Sequence, residues 1–90
     1  MTPEDFRTAA AAEGYQVVEN GFGPNVTNPE HTHPFDAWLL ITGGEISISV
    51  GDETTTCRTG DTFRVAGNVP HAEQAGPDGV QYLAGRRPAR

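Results

Sequence analysis

The sequence predicts an all-β fold, a sandwich or barrel with one short helix in front, and three observations carry that expectation. Helical signals are confined to residues 1–14. From residue 15 on, short runs of β-branched or alternating apolar and polar residues follow one another, which is the pattern of half-buried strands. Turn formers separate these runs at close intervals, and many short strands at regular spacing pack as a sandwich or a barrel.

The helix is announced by Thr2-Pro3-Glu4-Asp5, which supplies an N-capping hydroxyl, a proline suited to the first helical position and two acids in the first turn. It runs through the alanines at 9–12 and stops at Gly14, a residue at ease with positive φ. Strands are expected over 15–19, 30–33, 36–42, 45–50, 53–57, 62–65, 71–75 and 80–84. The expected turns between them include Gly43-Gly44, Gly51-Asp52, Gly60-Asp61, Gly67-Asn68 and Pro77-Asp78-Gly79. Strict alternation in Glu45-Ile46-Ser47-Ile48-Ser49-Val50 marks a strand with one wet face. Trp38-Leu39-Leu40-Ile41 is apolar on both faces, so it should be a central strand. Its second face needs a cover, either the helix or another subunit, and from this a homodimer is expected. The organisation that follows is a helix over 1–14 packed on a barrel of 15–85, with an arginine-rich tail at 86–90.

Ninety residues support one core and not two. With 36% hydrophobic and 20% charged residues, the chain has the composition of a folded domain. Twelve acids stand against six basic residues, all arginine, and Arg86, Arg87 and Arg90 crowd the end. The body therefore lacks the basic face that displaces counterions from nucleic-acid phosphates, and nucleic acid is excluded as a partner. The terminal arginines read as a solvated end. No apolar run approaches the ~20 residues that cross a bilayer, so no membrane is expected as a partner. The first residues lack the basic start and apolar stretch of a signal peptide, which points to the cytoplasm. A single cysteine, Cys57, rules out an internal disulfide and reads as a buried, inert thiol.

Chemistry rests on the three histidines. His31 and His33 are one residue apart, so on a strand both rings leave the same face and can converge on one ion. The pair alone is a weak signal, and its frame strengthens it. His31-Thr32-His33 is followed by Pro34-Phe35-Asp36, then Ala37, then Gly44 after six residues. Further on come Gly60-Asp61, Ala66-Gly67-Asn68, Val69-Pro70 and His71. These spacings resemble the two motifs of the cupin superfamily, over about half the chain. The departures are an alanine where the first motif has its glutamate, at Ala37, and Ala66, Asn68 and Ala75 where the second has Pro, Gly and Asn. Asn68 tolerates the left-handed conformation that glycine would take, so the turn can survive.

The resemblance implies a small, jelly-roll-like cupin barrel with one divalent metal ion (Fe, Zn, Ni, Cu or Mn) on His31, His33 and His71. Without the glutamate, three neutral imidazoles leave the ion more open positions, as a catalytic centre needs. Counting from His31, residues 35, 37, 39 and 41 point inward and Asp36 points away unless a bulge intervenes. Counting from His71, Glu73 points into the barrel, as a base, a fourth ligand or a misplaced surface residue. Trp38 and Tyr82 read as packing or interface residues, and Arg64 as a solvated strand arginine or a contact for an anionic substrate. The expected function is that of a small metalloenzyme, of dioxygenase type, acting on a small oxygenated organic molecule. The alternative is a non-catalytic module that binds or senses a small ligand or metal.

Overall fold

The computed structural model describes residues 1–89; Arg90, the last residue of the expected tail, lies outside them. Helix α1 spans Pro3–Ala12. The Thr2 hydroxyl accepts a hydrogen bond from the Asp5 amide at 3.1 Å, and Gly14 takes φ +84° just beyond the helix. Six strands follow: β1 (Gln16–Phe22), β2 (Thr27–His31), β3 (Phe35–Val50), β4 (Glu53–Arg58), β5 (Thr62–Val65) and β6 (His71–Pro88).

Two expected turns are not turns. Gly43-Gly44 lies inside β3 and Pro77-Asp78-Gly79 lies inside β6, so each pair of short strands expected there is one long strand. β3 and β6 pair antiparallel along most of their lengths, with register shifts between Ile41 and Gly43 and between Gly44 and Ile46. Both strands bend at this crossing. Gly44 has φ +70° and Gly79 φ +77°, and a Cβ on Gly44 would sit 2.1 Å from the Gly79 carbonyl oxygen. Only glycine permits that approach, and a glycine-marked bulge looks locally like a glycine-marked hairpin.

The sheet runs β1-β6-β3-β4, with β2 also paired to β6 and β5 to β3. The bend divides it into two halves that face each other. Leu39, Ile41, Tyr82 and Ala84 from one half meet Ile46, Ile48, Cys57 and Ala75 from the other to form the main core. The result is jelly-roll-like, but hydrogen bonding does not close the sheet into the expected barrel.

The outer face of the first half carries Trp38, Leu40 and Leu83, and α1 covers it with Phe6 and Ala10, joined by Tyr15. Phe6 and Tyr15 meet the Trp38 ring edge-on, at 5.0 and 5.8 Å between centroids. Burying Phe6 completely contributes about 2 to 3 kcal/mol. The helix thus covers the second face of the Trp38 strand, and the expected homodimer loses the observation on which it rested. Arg64 belongs to this side as well. Its guanidinium lies 3.7 Å above the Trp38 ring and donates to both Glu13 carboxylate oxygens, at 3.2 and 3.3 Å, which holds it on the helix side of the sheet.

Strand β6 reaches Pro88, so Arg86 and Arg87 are sheet residues, Arg86 exposed and Arg87 half-buried. Arg87 donates to Asp36 at 3.2 Å and to the Glu13 carbonyl at 2.7 Å, and lies 4.4 Å over the Tyr15 ring. Among the described residues, no helix is long and apolar enough to cross a membrane.

Candidate metal centre

The three histidines come from β2, from the connection between β2 and β3, and from β6. His31 ends β2 and pairs directly across from His71, the first residue of β6. Between Asn28 and His31 the register shifts, so that β2 advances three residues while β6 advances two. The shift falls within Pro29-Glu30, where Pro29 has no amide hydrogen for a ladder, and it brings His31 into phase with His71.

His33 is not on a strand, contrary to the expectation that both histidines of the pair would be. Its carbonyl accepts a hydrogen bond of 2.7 Å from the Asn68 amide, and its ring stacks on Phe35 with centroids 4.4 Å apart. Asn68 is left-handed, at φ +64°, as expected from its place in the turn. Asp36 points away from the cavity, accepting from the Gly67 amide at 2.8 Å and from Arg87, so it anchors that turn and supplies nothing to the site.

One ring nitrogen from each histidine lies within 4.8 Å of the others. Two nitrogens on one zinc-sized ion are at most about 4.2 Å apart, so small side-chain adjustments bring the three into range. The rings are also oriented. His31 Nδ1 lies 2.8 Å from the Pro29 carbonyl oxygen and His71 Nδ1 lies 2.8 Å from that of Val69. A carbonyl only accepts, so Nδ1 carries the hydrogen in both rings, and Nε2 is the nitrogen that a neutral ring offers to the cavity. Such backbone contacts fix ligating histidines in metal sites generally.

Glu73 enters the same space, as counting from His71 predicted. Its side chain is 11% exposed, and Oε1 lies 3.3 Å from His31 Nε2 and 3.7 Å from His71 Nε2. With neutral rings, these contacts set a carboxylate oxygen against two nitrogen lone pairs. The arrangement is favourable when a cation is shared among them, either a proton on a ring or a metal ion. The donor set therefore fits a divalent metal.

Burial chiefly, then the neighbouring His71 and His31 and the Arg86 guanidinium, holds His33 below the usual imidazole range, which favours its neutral, ligating form. Burial pushes the Tyr82 phenol up to about 12; Glu73 adds to the rise and Arg86 opposes it. Burial, aided by Asp61, raises the Cys57 thiol, in keeping with an inert core residue.

The cavity has a volume of about 170 Å³ and is lined by the three histidines, Glu73, Tyr82, Phe35, Ala37 and Arg86, among others. Phe35, Ala37 and Leu39 line it from β3, as strand phase predicted. Arg86 was missed in the sequence, although alternation carried two residues past Ala84 would have placed it on the Tyr82 face.

The family model described as "Cupin domain" matches residues 21–80. Among solved structures, KdgF from Halomonas sp. superposes with a TM-score of 0.73 at 18% identity, over 84% of this chain and 71% of that one. An RmlC-like cupin from Shewanella frigidimarina gives 0.72 at 24% identity, over 84% and 68%. The cupin domain of an XRE family transcriptional regulator from Enterobacter cloacae gives 0.71 at 19% identity, over 84% and 83%. No curated protein matches the sequence.

Proposed function

The chain belongs to the cupin family, and from that premise we propose that it holds one divalent metal ion through His31, His33 and His71 and acts on a small oxygenated organic molecule with Glu73 as general base. The observation that carries this reading is the convergence of one ring nitrogen from each of His31, His33 and His71 within 4.8 Å, with a Glu73 carboxylate oxygen 3.3 and 3.7 Å from two of the rings. Imidazole donors suit Fe, Zn, Ni and Cu better than Mn, which prefers oxygen ligands, and affinity alone does not choose among the four. When bound, the ion supplies Lewis acidity that polarises a coordinated oxygen and makes neighbouring protons acidic.

The chain's own residues do the rest. Pro29 and Val69 orient the two rings through their carbonyls, and Phe35 keeps His33 in place by stacking. Glu73, largely shielded from water, takes up the proton released by the substrate and becomes a carboxylic acid. Its proximity to the histidines puts the base within the same small cavity as the substrate.

Elemental analysis of the wild type, His33→Ala and Glu73→Gln is the test. The wild type should hold close to one ion per chain, and His33→Ala should lose most of it. Glu73→Gln should keep the metal while turnover of small enols and diketones falls by about 10² to 10⁴-fold, with oxygen uptake measured alongside to detect dioxygenase chemistry. Equal metal content in wild type and His33→Ala would refute the site. Metal binding without turnover of these substrates in any metal form would favour the binding module.

A further inference from the structure

Among the described arginines, Arg7, Arg58, Arg64 and Arg87 each pair with a carboxylate, of Glu19, Glu45, Glu13 and Asp36 respectively. Arg86 has no carboxylate of the described residues within ion-pair reach, and its guanidinium lies 5.2 Å from the centre of the Phe35 ring. Alternation along β6 explains where it points. Tyr82, Ala84 and Arg86 line the cavity, while Leu83 and Arg87 face the helix side.

The residue directly opposite Arg86 on β3 is Ala37. Cross-strand partners hold their Cβ atoms about 4.5 to 5.5 Å apart. A glutamate at 37 would therefore come within reach of Arg86. With alanine there, Arg86, a solvent-exposed side chain, has no carboxylate partner among the described residues and lines a cavity that already gathers three histidines, in a chain of net charge -6.

We propose that the substrate supplies the missing carboxylate: the cavity takes a small organic carboxylate, bound by Arg86 in the space above Ala37 and beside the three histidines. This names the substrate class of the site and rests on the metal-binding reading for the histidines' part. A guanidinium also clamps phosphate. A single arginine in a cavity that also holds the Glu73 carboxylate favours a monoanion over a phosphate dianion, and the small volume favours a compact acid.

The test is a titration followed by NMR, with pyruvate, its neutral methyl ester and inorganic phosphate as probes, on metal-free and on zinc-loaded protein. Pyruvate should bind about 10 to 100-fold more tightly than the ester, the range expected of one charge-assisted contact. R86Q and A37E should both lose that preference, the second by pairing Arg86 internally. R86K, which keeps the charge without the planar fork, should retain part of it, and R64Q, altered on the helix side, should retain all of it. Equal binding of acid and ester by the wild type, or an undiminished preference in R86Q, would overturn the proposal. Tighter, Arg86-dependent binding of phosphate would overturn the carboxylate assignment. The metal-free titration tests Arg86 alone and metal content tests the histidines alone, so failure of one is distinguishable from failure of the other.

Discussion

Replacing Gly44 by alanine should destabilise the protein far more than the same change at Gly51, and the difference measures what the bend in β3 requires. Both glycines have positive φ, +70° and +59°, so both variants place alanine in the left-handed region at about 1 to 2 kcal/mol. Both also gain the same small benefit from a stiffer unfolded chain. They differ in surroundings. A Cβ at Gly51 meets nothing within 4 Å, whereas one at Gly44 would lie 2.1 Å from the Gly79 carbonyl oxygen and 2.9 Å from its carbon. These are backbone atoms of a paired strand and cannot swing aside, so a further ~1 to 3 kcal/mol of overpacking is expected. Total stability for a domain of this length is about 5 to 13 kcal/mol, so Gly44→Ala removes a large fraction of it. Urea unfolding is the assay. Trp38, the single tryptophan, is 5% exposed between α1 and the sheet and reports the transition. At roughly 1 kcal/mol per molar of urea, the Gly44→Ala midpoint should fall about 1 to 3 M below that of Gly51→Ala. Midpoints within about 0.5 M of each other would refute the steric account of the bend.

Two further outcomes follow from the packing. Phe6→Ala should cost about 3 to 5 kcal/mol and release the helix from the Trp38 face, read as a red-shifted tryptophan emission at low denaturant. Unchanged emission would mean that α1 is not what shields Trp38. The raised phenol of Tyr82 makes stability fall at alkaline pH: below about 10 the phenol is protonated in both states, and between 10 and about 12 the unfolded chain sheds its proton first. That span corresponds to about 2 to 3 kcal/mol, and Tyr82→Phe should remove this part of the alkaline loss in urea titrations at pH 9 to 11.5. An equal loss in wild type and Tyr82→Phe would refute it.

What was legible in the sequence was what local chemistry decides. The capping hydroxyl of Thr2, the proline after it and Gly14 specify α1 without reference to the rest of the chain. Alternation gave the inward face of β3, and the short regular stretch from His71 to Ala75 was enough to place Glu73 in the cavity. What was not legible depended on partners distant in sequence. Gly43-Gly44 and Pro77-Asp78-Gly79 carry the marks of hairpin turns, and only the pairing of β3 with β6 makes them a shared bend. The extra residue in β2 is likewise defined by its pairing with β6. Arg86 lies in a polar, arginine-rich end that reads as solvated, and it is exposed; its place on the cavity lining is set by its pairing with Gln16 and Ala37 on two other strands.

The acid and the cation of this site are best understood together. The motif that the sequence resembles puts a carboxylate on the strand after the histidine pair, where Ala37 stands here. This chain places a carboxylate on β6 instead, two residues after His71, and Glu73 reaches His31 and His71 with one oxygen. The exchange is not neutral in position. Glu73 lies in the half of the sheet formed with β2, among the imidazoles, while the wall formed by Ala37 and Arg86 lies in the half formed with β1. A negative charge thus stands beside the histidines, and a positive charge with no carboxylate partner among the described residues stands in the other half. On the reading proposed above, a cavity polarised in this way would orient an asymmetric ligand, its anionic end toward Arg86 and its proton-bearing portion toward Glu73. A symmetric or neutral molecule would gain from one wall only. The loss of one glutamate and the presence of another, read separately as a defect and an oddity, together give the site a direction.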